Sequence, residues 1–229
     1  NINLINMMTL KTFESYDKLK QSLITLLIDN IKSPNSIMLS GGKTPYETYN
    51  EIAKLKPKIH KKCKLFLSDE RYVPYNSKDN NAYNLSNMLS ELQCHDNFIA
   101  VNTSLEVNLS SIDYGEKMNL LPCTKIGLLG IGEDGHTAGI FSKKDALSLD
   151  KKLAFVTVRP NKMLGISVSN YFIQNIEKII LIAVSNAKKQ ILEVLFNDPS
   201  SIPAGIILNK HQNVEVWTDV KLDINSNKL

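Results

Sequence analysis

The stretch Ser36-Ile-Met-Leu-Ser-Gly-Gly-Lys-Thr-Pro45 contains an apolar run, a turn and the start of a helix. The apolar run has the length of a buried strand, and the glycine pair Gly41-Gly42 ends it. Thr44 stands directly before a proline and three residues before Glu47, which is the pattern of a helix N-cap. A strand followed at once by a helix is the repeating unit of an α/β fold.

The same alternation continues along the chain in both directions. Strands are predicted for residues 36–40, 63–68, 98–101, 125–130, 153–158, 166–169, 179–184 and 214–218. Helices are predicted for residues 13–31, 81–92, 108–120 and 188–196, and for the segment that follows Thr44. This pattern predicts one α/β domain over residues 1–229, with a mostly parallel, doubly wound, Rossmann-like sheet and helices on both faces. The tail after about residue 219 is expected to be irregular.

The composition is typical of a globular protein with one large core. The chain has 229 residues, 43% of them hydrophobic, which suits a single domain of about 200–250 residues. No apolar run reaches the roughly 18 residues that a membrane span needs, and the N-terminus lacks the layout of a secretory signal. Because the chain begins with Asn1, we expect it to have been cut from a longer protein.

The charged residues and the cysteines exclude further classes of function. The net charge is +4, but only Arg71 and Arg159 are arginines, so the clustered arginines of nucleic-acid-binding proteins are missing. The three cysteines form no CxxC pair, which argues against a zinc site or a disulfide framework and favours a reducing compartment. We therefore expect a cytoplasmic protein that binds neither nucleic acid nor membranes.

Three segments rich in glycine and charge each follow a predicted strand directly. They are residues 40–45, 68–71 and 130–136. In open parallel sheets, ligands bind beyond the carboxyl ends of the strands, so three such loops are expected to converge on one crevice.

The first loop has the features of an anion site. Gly41 and Gly42 allow backbone amides to approach a ligand closely, because no Cβ atom stands in the way. The helix N-terminus at Thr44 suits a phosphate, and Lys43 adds a positive charge. The GxxxxGK[ST] spacing of a Walker loop is absent. A plain strand-to-helix turn is the alternative interpretation.

The second loop contains three consecutive charged residues, Asp69, Glu70 and Arg71. Neighbouring residues of an extended segment point to opposite faces, so the three cannot share one role. Arg71 could bind a phosphate through its guanidinium fork or neutralise one of the carboxylates, and the pattern leaves both open.

The third loop, residues 130–136, spells GxGxxG, the dinucleotide fingerprint. The fingerprint normally opens the first strand-helix unit, whereas this loop lies past the middle of the chain. Its variable positions hold Glu133 and Asp134, which are poor neighbours for a pyrophosphate. The following strand ends at Arg159 and not at an acidic residue, so a phosphorylated dinucleotide stays a weak alternative ligand.

His136 is the candidate general base, because histidine exchanges protons near neutral pH and this one stands between small residues at the expected crevice. Asp134 could orient it. No second histidine or cysteine lies at metal-ligand spacing. The remaining histidines lie in polar stretches and are expected at the surface; they are His60, His95 and His211.

Two segments resemble the 6-phosphogluconolactonase family, within the wider group that includes glucosamine-6-phosphate deaminase: Asp69-Glu-Arg-Tyr-Val-Pro74 and Gly132-Glu-Asp-Gly-His-Thr-Ala138. The spacing from Pro74 to Asn81 and the position of Lys189 agree, and the resemblance covers essentially the whole chain. It implies hydrolysis of 6-phospho-D-glucono-1,5-lactone, a small phosphorylated sugar lactone, to 6-phosphogluconate in the oxidative pentose phosphate pathway. It also implies no cofactor and no essential metal.

The resemblance implies roles for individual residues as well. His136 is the general base, with Asp134 beside it, and the glycine loop, Arg71 and Lys189 lie near the substrate phosphate. The glycine-loop amides could also hold an oxyanion. Asn81 matches a family position without a firm role. The expected substrate-binding residues are Gly41, Gly42, Lys43, Thr44, Asp69, Arg71, Asn81, Gly132 and Lys189.

The sequence departs from the family pattern at several positions. A family arginine falls at Gly165, so its contact must come from Arg159, from Lys162 or from no residue. In some organisms such lactonases are fused to glucose-6-phosphate dehydrogenase, so fusion to or cooperation with that enzyme is open. The smaller departures are Lys43, Gly139 and Ser142, where the family has serine or threonine, serine, and proline.

Two other functions stay open. An aminosugar-6-phosphate isomerase or deaminase resembles the chain in the glycine loop and the Asp-Gly-His turn. Its histidine is followed by a run that supplies another carboxylate, whereas this chain has no acid after His136 until Asp145. A non-catalytic sugar-phosphate-binding module would keep the phosphate loops, and the intact His136 argues against it.

Overall fold

The computed structural model describes residues 8–224, and a parallel β-sheet forms its centre. Its strands are β1 (Met8–Thr12), β2 (Ser36–Leu39), β3 (Lys64–Leu67), β4 (Asp69–Arg71), β5 (Phe98–Ile99), β6 (Thr124–Gly130), β7 (Ala154–Val158), β8 (Leu164–Val168), β9 (Lys178–Ile182) and β10 (Val214–Thr218). Within these residues, seven strands pair in the order β1-β10-β9-β6-β2-β3-β5. All six pairings are parallel.

Helices cover both faces of this sheet. They are α1 (Tyr16–Ile31), α2 (Lys43–Leu55), α3 (Asn81–Asn84), α4 (Ser86–Glu91), α5 (Val107–Asn119), α6 (Lys143–Ala146), α7 (Asn170–Ile173), α8 (Lys189–Asn197) and α9 (Pro203–Leu208). One apolar core contains buried residues of α1, α2 and α4, and the other contains those of α5, α8 and α9. The predicted fold class, a doubly wound α/β protein with helices on both faces, is confirmed.

The central strands are apolar almost throughout, because helices exclude water from both of their faces. All four residues of β2 are buried, as are the last four of β9. The alternating polar and apolar pattern of a strand with one wet face is therefore missing from them.

The order of the strands reverses between β2 and β6. From β2 the chain moves to β3 and β5 on one side, and from β6 it moves to β9 and β10 on the other. Because β2 and β6 are neighbours, a crevice opens between the loops that follow them. The loops before α2 and around residues 131–136 therefore meet at the place where such sheets bind ligands.

A second sheet differs from the sequence prediction. It is antiparallel, has the order β4-β8-β7, and takes in the predicted strands at 153–158 and 166–169. β4 lies where the sequence predicts a loop, because three charged residues carry no strand pattern of their own. In this sheet Arg71 is paired with Gly165 across β4 and β8.

Several boundaries differ from those predicted. The predicted helix at 81–92 is two short helices, α3 and α4. The sequence pattern missed β1, an edge strand, and α9, whose six residues are all buried and so carry no amphipathic pattern. The described residues 219–224 contain no helix or strand, and residues 225–229 of the predicted irregular tail lie outside the described residues.

His211 is buried, although its polar sequence neighbours predict a surface position. Its Nε2 lies 2.8 Å from the carbonyl oxygen of Ile176, and the backbone N–H of Asn213 donates to Nδ1 over 3.0 Å. Burial lowers its pKa. The ring is thus a structural link between backbone segments, which sequence polarity does not reveal.

Among the described residues, no helix has both the length and the apolar character needed to cross a bilayer.

Gly165→Ala tests the close packing of the second sheet. A Cβ atom at this position would lie 2.9 Å from the carbonyl oxygen of Glu70 and 3.2 Å from Cγ2 of Thr157. Because the first contact is with backbone, we expect the free energy of unfolding to fall by about 1–3 kcal/mol in urea denaturation. The control is Gly130→Ala, whose added methyl group meets nothing within 4 Å. Equal losses in the two variants would contradict the packing argument.

Candidate active site

A cavity of about 650 Å³ lies at the carboxyl ends of β2, β3, β6, β9 and β10. Its volume falls within the range of small-ligand sites, roughly 300–1,000 Å³. The three loops predicted to converge on one crevice all contribute to its wall. The predicted residues that line it are Gly41, Gly42, Lys43, Thr44, Asp69, Arg71, Asn81, Gly132 and His136.

The glycine loop brings the N-terminus of α2 to the cavity. The helix begins at Lys43 with Gly42 as its cap residue, so the prediction of Thr44 as the N-cap was wrong. Gly42 has a φ of 115°, a conformation that glycine adopts without strain, and no side chain caps this helix end. The backbone N–H groups of the first turn are therefore available to an anion in the cavity.

Glu70 holds the second loop in place from the side away from the cavity. Its carboxyl group accepts hydrogen bonds from the backbone N–H groups of Arg71, Asn81 and Ala82, at 2.8, 2.6 and 2.8 Å. Burial raises its pKa to about 7, and the three hydrogen bonds oppose that rise. Asp69 and Arg71 line the cavity and Glu70 is buried away from it, so the three consecutive residues do not share one environment.

Asn81 links the first two loops through its side chain. Its Nδ2 donates to the carbonyl oxygen of Asp69 over 2.9 Å, and its Oδ1 accepts from the hydroxyl of Tyr46 over 2.6 Å. A Cβ atom on Gly41 would lie 2.6 Å from that same Oδ1. The geometry therefore gives Asn81 a positioning role, because both polar ends of its amide are already engaged by protein groups.

The third loop places His136 in the cavity wall with Asp134 behind it. His136 Nδ1 lies 2.5 Å from Oδ1 of Asp134, and the backbone N–H of His136 donates to the same oxygen over 3.2 Å. Burial opposes ionisation of Asp134, but these hydrogen bonds outweigh it and hold its pKa below the usual value. An ionised carboxylate at Nδ1 leaves Nε2 as the proton acceptor of the ring.

Gly132 is required by this arrangement. A Cβ atom there would lie 2.1 Å from Nδ1 of His136 and 2.4 Å from Oδ1 of Asp134. Any other residue would separate the carboxylate from the imidazole. Gly132, a glycine of the GxGxxG pattern, thus permits a close contact between two side chains of the loop.

Arg159 lies in the cavity wall, and Phe141 contacts both Arg159 and His136. The ring centroids of Phe141 and His136 are 4.4 Å apart, and the guanidinium of Arg159 lies 5.1 Å from the Phe141 ring. Nη1 of Arg159 is 3.5 Å from Oδ2 of Asp69. The sequence left open whether Arg159, Lys162 or no residue replaces the family arginine that falls at Gly165; of the two, Arg159 lines the cavity.

Lys189 does not line the cavity, and the prediction of its position was wrong. Its Nζ pairs with Asp223 at 2.8 Å and with Glu193 at 3.7 Å. Its neighbour Lys188 lines the cavity instead. Lys189 was assigned by resemblance to a family lysine, and because Lys188 and Lys189 are adjacent, a shift of one residue in that match exchanges two side chains that point in different directions.

Sequence reasoning missed several polar residues of the wall. At the cavity, the hydroxyl of Tyr16 donates a hydrogen bond to Oε2 of Glu47 over 2.5 Å. Burial and this hydrogen bond raise the pKa of Tyr16 to about 12. Among the described residues, Ser40 Oγ and Arg71 Nε are buried polar atoms without a hydrogen-bond partner. Tyr16 and Asp219 come from parts of the chain without any motif, whereas Ser40 directly precedes the glycine pair.

The described residues contain no group of three or more His, Cys, Asp and Glu side chains that could hold a metal ion. The absence of a metal and of a cofactor stays a prediction.

The comparisons with known proteins agree on one family. The family described as glucosamine-6-phosphate isomerases/6-phosphogluconolactonase matches residues 13–217. The 6-phosphogluconolactonase of Chlamydia pneumoniae is 33% identical over 134 residues, which cover 55% of this chain and 50% of that protein. The 6-phosphogluconolactonase of Helicobacter pylori strain J99 is 28% identical over 194 residues, which cover 80% of this chain and 82% of that protein.

Solved structures of both activities in this group share the fold. The crystal structure of 6-phosphogluconolactonase from Leishmania guyanensis has a TM-score of 0.77 at 20% identity, covering 92% of this chain and 95% of that one. A monomeric glucosamine-6-phosphate deaminase has a TM-score of 0.76 at 19% identity, covering 92% and 97%. The fold alone therefore does not distinguish hydrolysis from deamination, and the site residues must decide.

Glu70→Gln tests the role of the buried carboxyl group through the pH dependence of stability. The folded pKa of about 7 lies above the ordinary value of 4.5, so the folded state keeps a proton that the unfolded state loses. The stability that Glu70 contributes is therefore complete below pH 4.5 and declines as the pH rises through 7. We expect the free energy of unfolding of the natural protein, relative to the glutamine variant, to fall by up to about 3 kcal/mol over that interval.

Urea denaturation at several pH values measures this difference. The control is Glu116→Gln, which makes the same substitution at an exposed position of α5. A difference between the natural protein and Glu70→Gln that is constant from pH 4.5 to 8 would contradict the elevated pKa of Glu70.

Proposed function

This chain belongs to the glucosamine-6-phosphate isomerase/6-phosphogluconolactonase family, and we propose that it is a 6-phosphogluconolactonase. In this proposal it hydrolyses 6-phospho-D-glucono-1,5-lactone to 6-phosphogluconate. The observation that carries the proposal is the contact of His136 with Asp134 at the wall of a cavity that also holds a helix N-terminus and cationic side chains.

A lactone is an internal ester, so its hydrolysis needs an activated water molecule and a proton donor for the ring oxygen. Nε2 of His136 takes a proton from water, and the water oxygen bonds to the carbonyl carbon C1 to give a tetrahedral oxyanion. The oxyanion then collapses, the bond from C1 to the ring oxygen breaks, and the imidazolium returns the proton to that oxygen. The carboxylic acid so formed releases its proton to the solvent, which gives the carboxylate, so atoms and charge balance without any further reactant.

Asp134 supports both halves of this cycle. Its carboxylate accepts the hydrogen bond from Nδ1, which keeps Nε2 free to act as the base. When the imidazolium forms, the adjacent negative charge stabilises it. Asp134 itself stays ionised throughout, in accordance with its lowered pKa.

The rest of the cavity suits the negative charges of the substrate. The first-turn N–H groups of α2 provide donors for an anion, and Lys43, Arg71 and Lys188 bring positive charge to the same wall. The phosphate is remote from the reacting carbon, so its binding orients C1 towards His136 and takes no part in the bond changes.

Deamination of an aminosugar phosphate is the nearest rival. That reaction calls for a carboxylate after the histidine, and the segment from Thr137 to Ser142 has none. The next acid, Asp145, accepts a hydrogen bond from Ser142 Oγ over 2.6 Å at the start of α6, away from the cavity lining. This arrangement favours hydrolysis.

His136→Ala tests the proposal directly. Loss of the base is expected to lower kcat about 10²–10⁴-fold, with little change in KM, because the substrate phosphate is bound elsewhere in the cavity. Proton release from the phosphorylated lactone, corrected for its spontaneous hydrolysis, measures both constants. His95→Ala is the control, since His95 is exposed and contacts Ser90 outside the cavity. Near-normal kcat in His136→Ala would remove the histidine from the mechanism.

A further inference from the structure

Acidic side chains lie in the cavity wall beside the groups that favour an anion. Among the described residues they are Glu47, Asp69 and Asp219. Oδ2 of Asp69 lies 3.5 Å from Nη1 of Arg159. Oδ1 of Asp219 accepts a hydrogen bond from the backbone N–H of Ser185 over 2.9 Å. In the part of the chain that the structure describes, Glu47 has neither a cation nor a backbone N–H as its partner.

The partner of Glu47 is Tyr16, the first residue of α1. The hydroxyl of Tyr16 donates to Oε2 of Glu47 over 2.5 Å and so links α1 to α2 at the cavity. Nζ of Lys20 lies 5.1 Å from the centre of the Tyr16 ring, a cation–π contact that holds the ring in place. Because burial and the bond to Glu47 raise the pKa of Tyr16 to about 12, the phenol remains a donor at neutral pH.

Glu47 lies one helical turn after Lys43, the first residue of α2. Side chains four residues apart on a helix are neighbours, so the carboxylate of Glu47 is within reach of Nζ of Lys43 once it is free to turn. Lys43 is exposed, lines the cavity and has no ion pair among the described residues. A carboxylate that turned towards Lys43 would neutralise this cation and repel an anion at the N-terminus of the helix.

We propose that Tyr16 is a positioning residue of the anion site: by binding Glu47, its hydroxyl keeps this carboxylate away from Lys43 and from the substrate phosphate at the N-terminus of α2. This inference rests on the proposed function for the identity of the substrate. The phosphate takes no part in the bond changes, so its binding is the same in the ground state and in the transition state. Loss of the Tyr16 hydroxyl is therefore expected to raise KM and to leave kcat nearly unchanged.

Tyr16→Phe removes the hydroxyl and keeps the ring. We expect calorimetric titration to show about 5- to 20-fold weaker binding of 6-phosphogluconate, because a negative charge is no longer held away from a phosphate in a partly exposed site. Gluconate lacks the phosphate, so its affinity should change less than about twofold. With 6-phosphogluconolactone as substrate, KM should rise by the same factor as the dissociation constant of 6-phosphogluconate.

Glu47→Gln separates positioning from direct contact with the ligand. Glutamine has no charge, so Glu47→Gln should bind 6-phosphogluconate at least as tightly as the natural protein does. Tyr16→Phe should then have no further effect in the double variant Tyr16→Phe/Glu47→Gln. If the loss of affinity persists in the double variant, the phenol contacts the ligand itself and the positioning role is overturned. Unchanged affinity in Tyr16→Phe would overturn it too.

Tyr171→Phe is the matched control, because it removes the same hydroxyl from an exposed tyrosine of α7 outside the cavity lining. It should bind 6-phosphogluconate as the natural protein does. Urea denaturation of each variant checks that the fold is kept. If Tyr16→Phe does not fold, Tyr16→Leu, which also lacks the donor, takes its place in both the single and the double variant.

The titrations separate this inference from the proposed function, because they do not depend on turnover. If the natural protein binds 6-phosphogluconate but does not hydrolyse the phosphorylated lactone, the proposed function fails. A loss of affinity in Tyr16→Phe that Glu47→Gln restores would still support the role of Tyr16. If the natural protein does not bind 6-phosphogluconate, both the inference and the proposed function are overturned.

Discussion

The contact between the carboxylate of Asp134 and the imidazole of His136 is the interaction on which the site depends. A turn that tolerates no side chain at Gly132 brings the two groups to 2.5 Å. The turn follows β6, next to the reversal of strand order, so the histidine stands at the cavity wall and the carboxylate behind it. In the proposed mechanism, the parallel sheet positions His136 as the proton acceptor, and the neighbouring charge of Asp134 fixes its tautomer.

The loops around this pair are held by buried polar groups. Glu70 ties the end of β4 to the start of α3 through three backbone N–H groups, and Asn81 joins that segment to Asp69 and Tyr46. Burial removes these polar groups from water, and their hydrogen bonds offset the free energy of desolvation. As a result, Asp69 and Arg71 face the cavity, and the carboxyl group of Glu70 faces away from it.

The parts of the structure that the sequence predicted are those with strong local patterns. Apolar runs followed by glycine turns mark β2, β3 and β6, and their order along the chain leads to the convergent loops and to His136. β4 has no such pattern, because its three charged residues become a strand only by pairing with β8. Sequence patterns place a helix start only to within one or two residues, which explains the wrong N-cap at Thr44. The match to a family lysine likewise does not separate the adjacent residues Lys188 and Lys189. Contacts between distant segments, such as Arg159 on Phe141, leave no trace in local sequence.

A crystal structure of the protein with bound 6-phosphogluconate tests the central claim most directly. The account predicts that the product carboxylate, formed from C1, lies within hydrogen-bond reach of Nε2 of His136, about 2.6–3.2 Å or one water molecule away. The phosphate should lie at the opposite end of the ligand, among cationic side chains of the wall. A complex with the phosphate beside His136, or with C1 beyond the reach of one water molecule, would contradict the account.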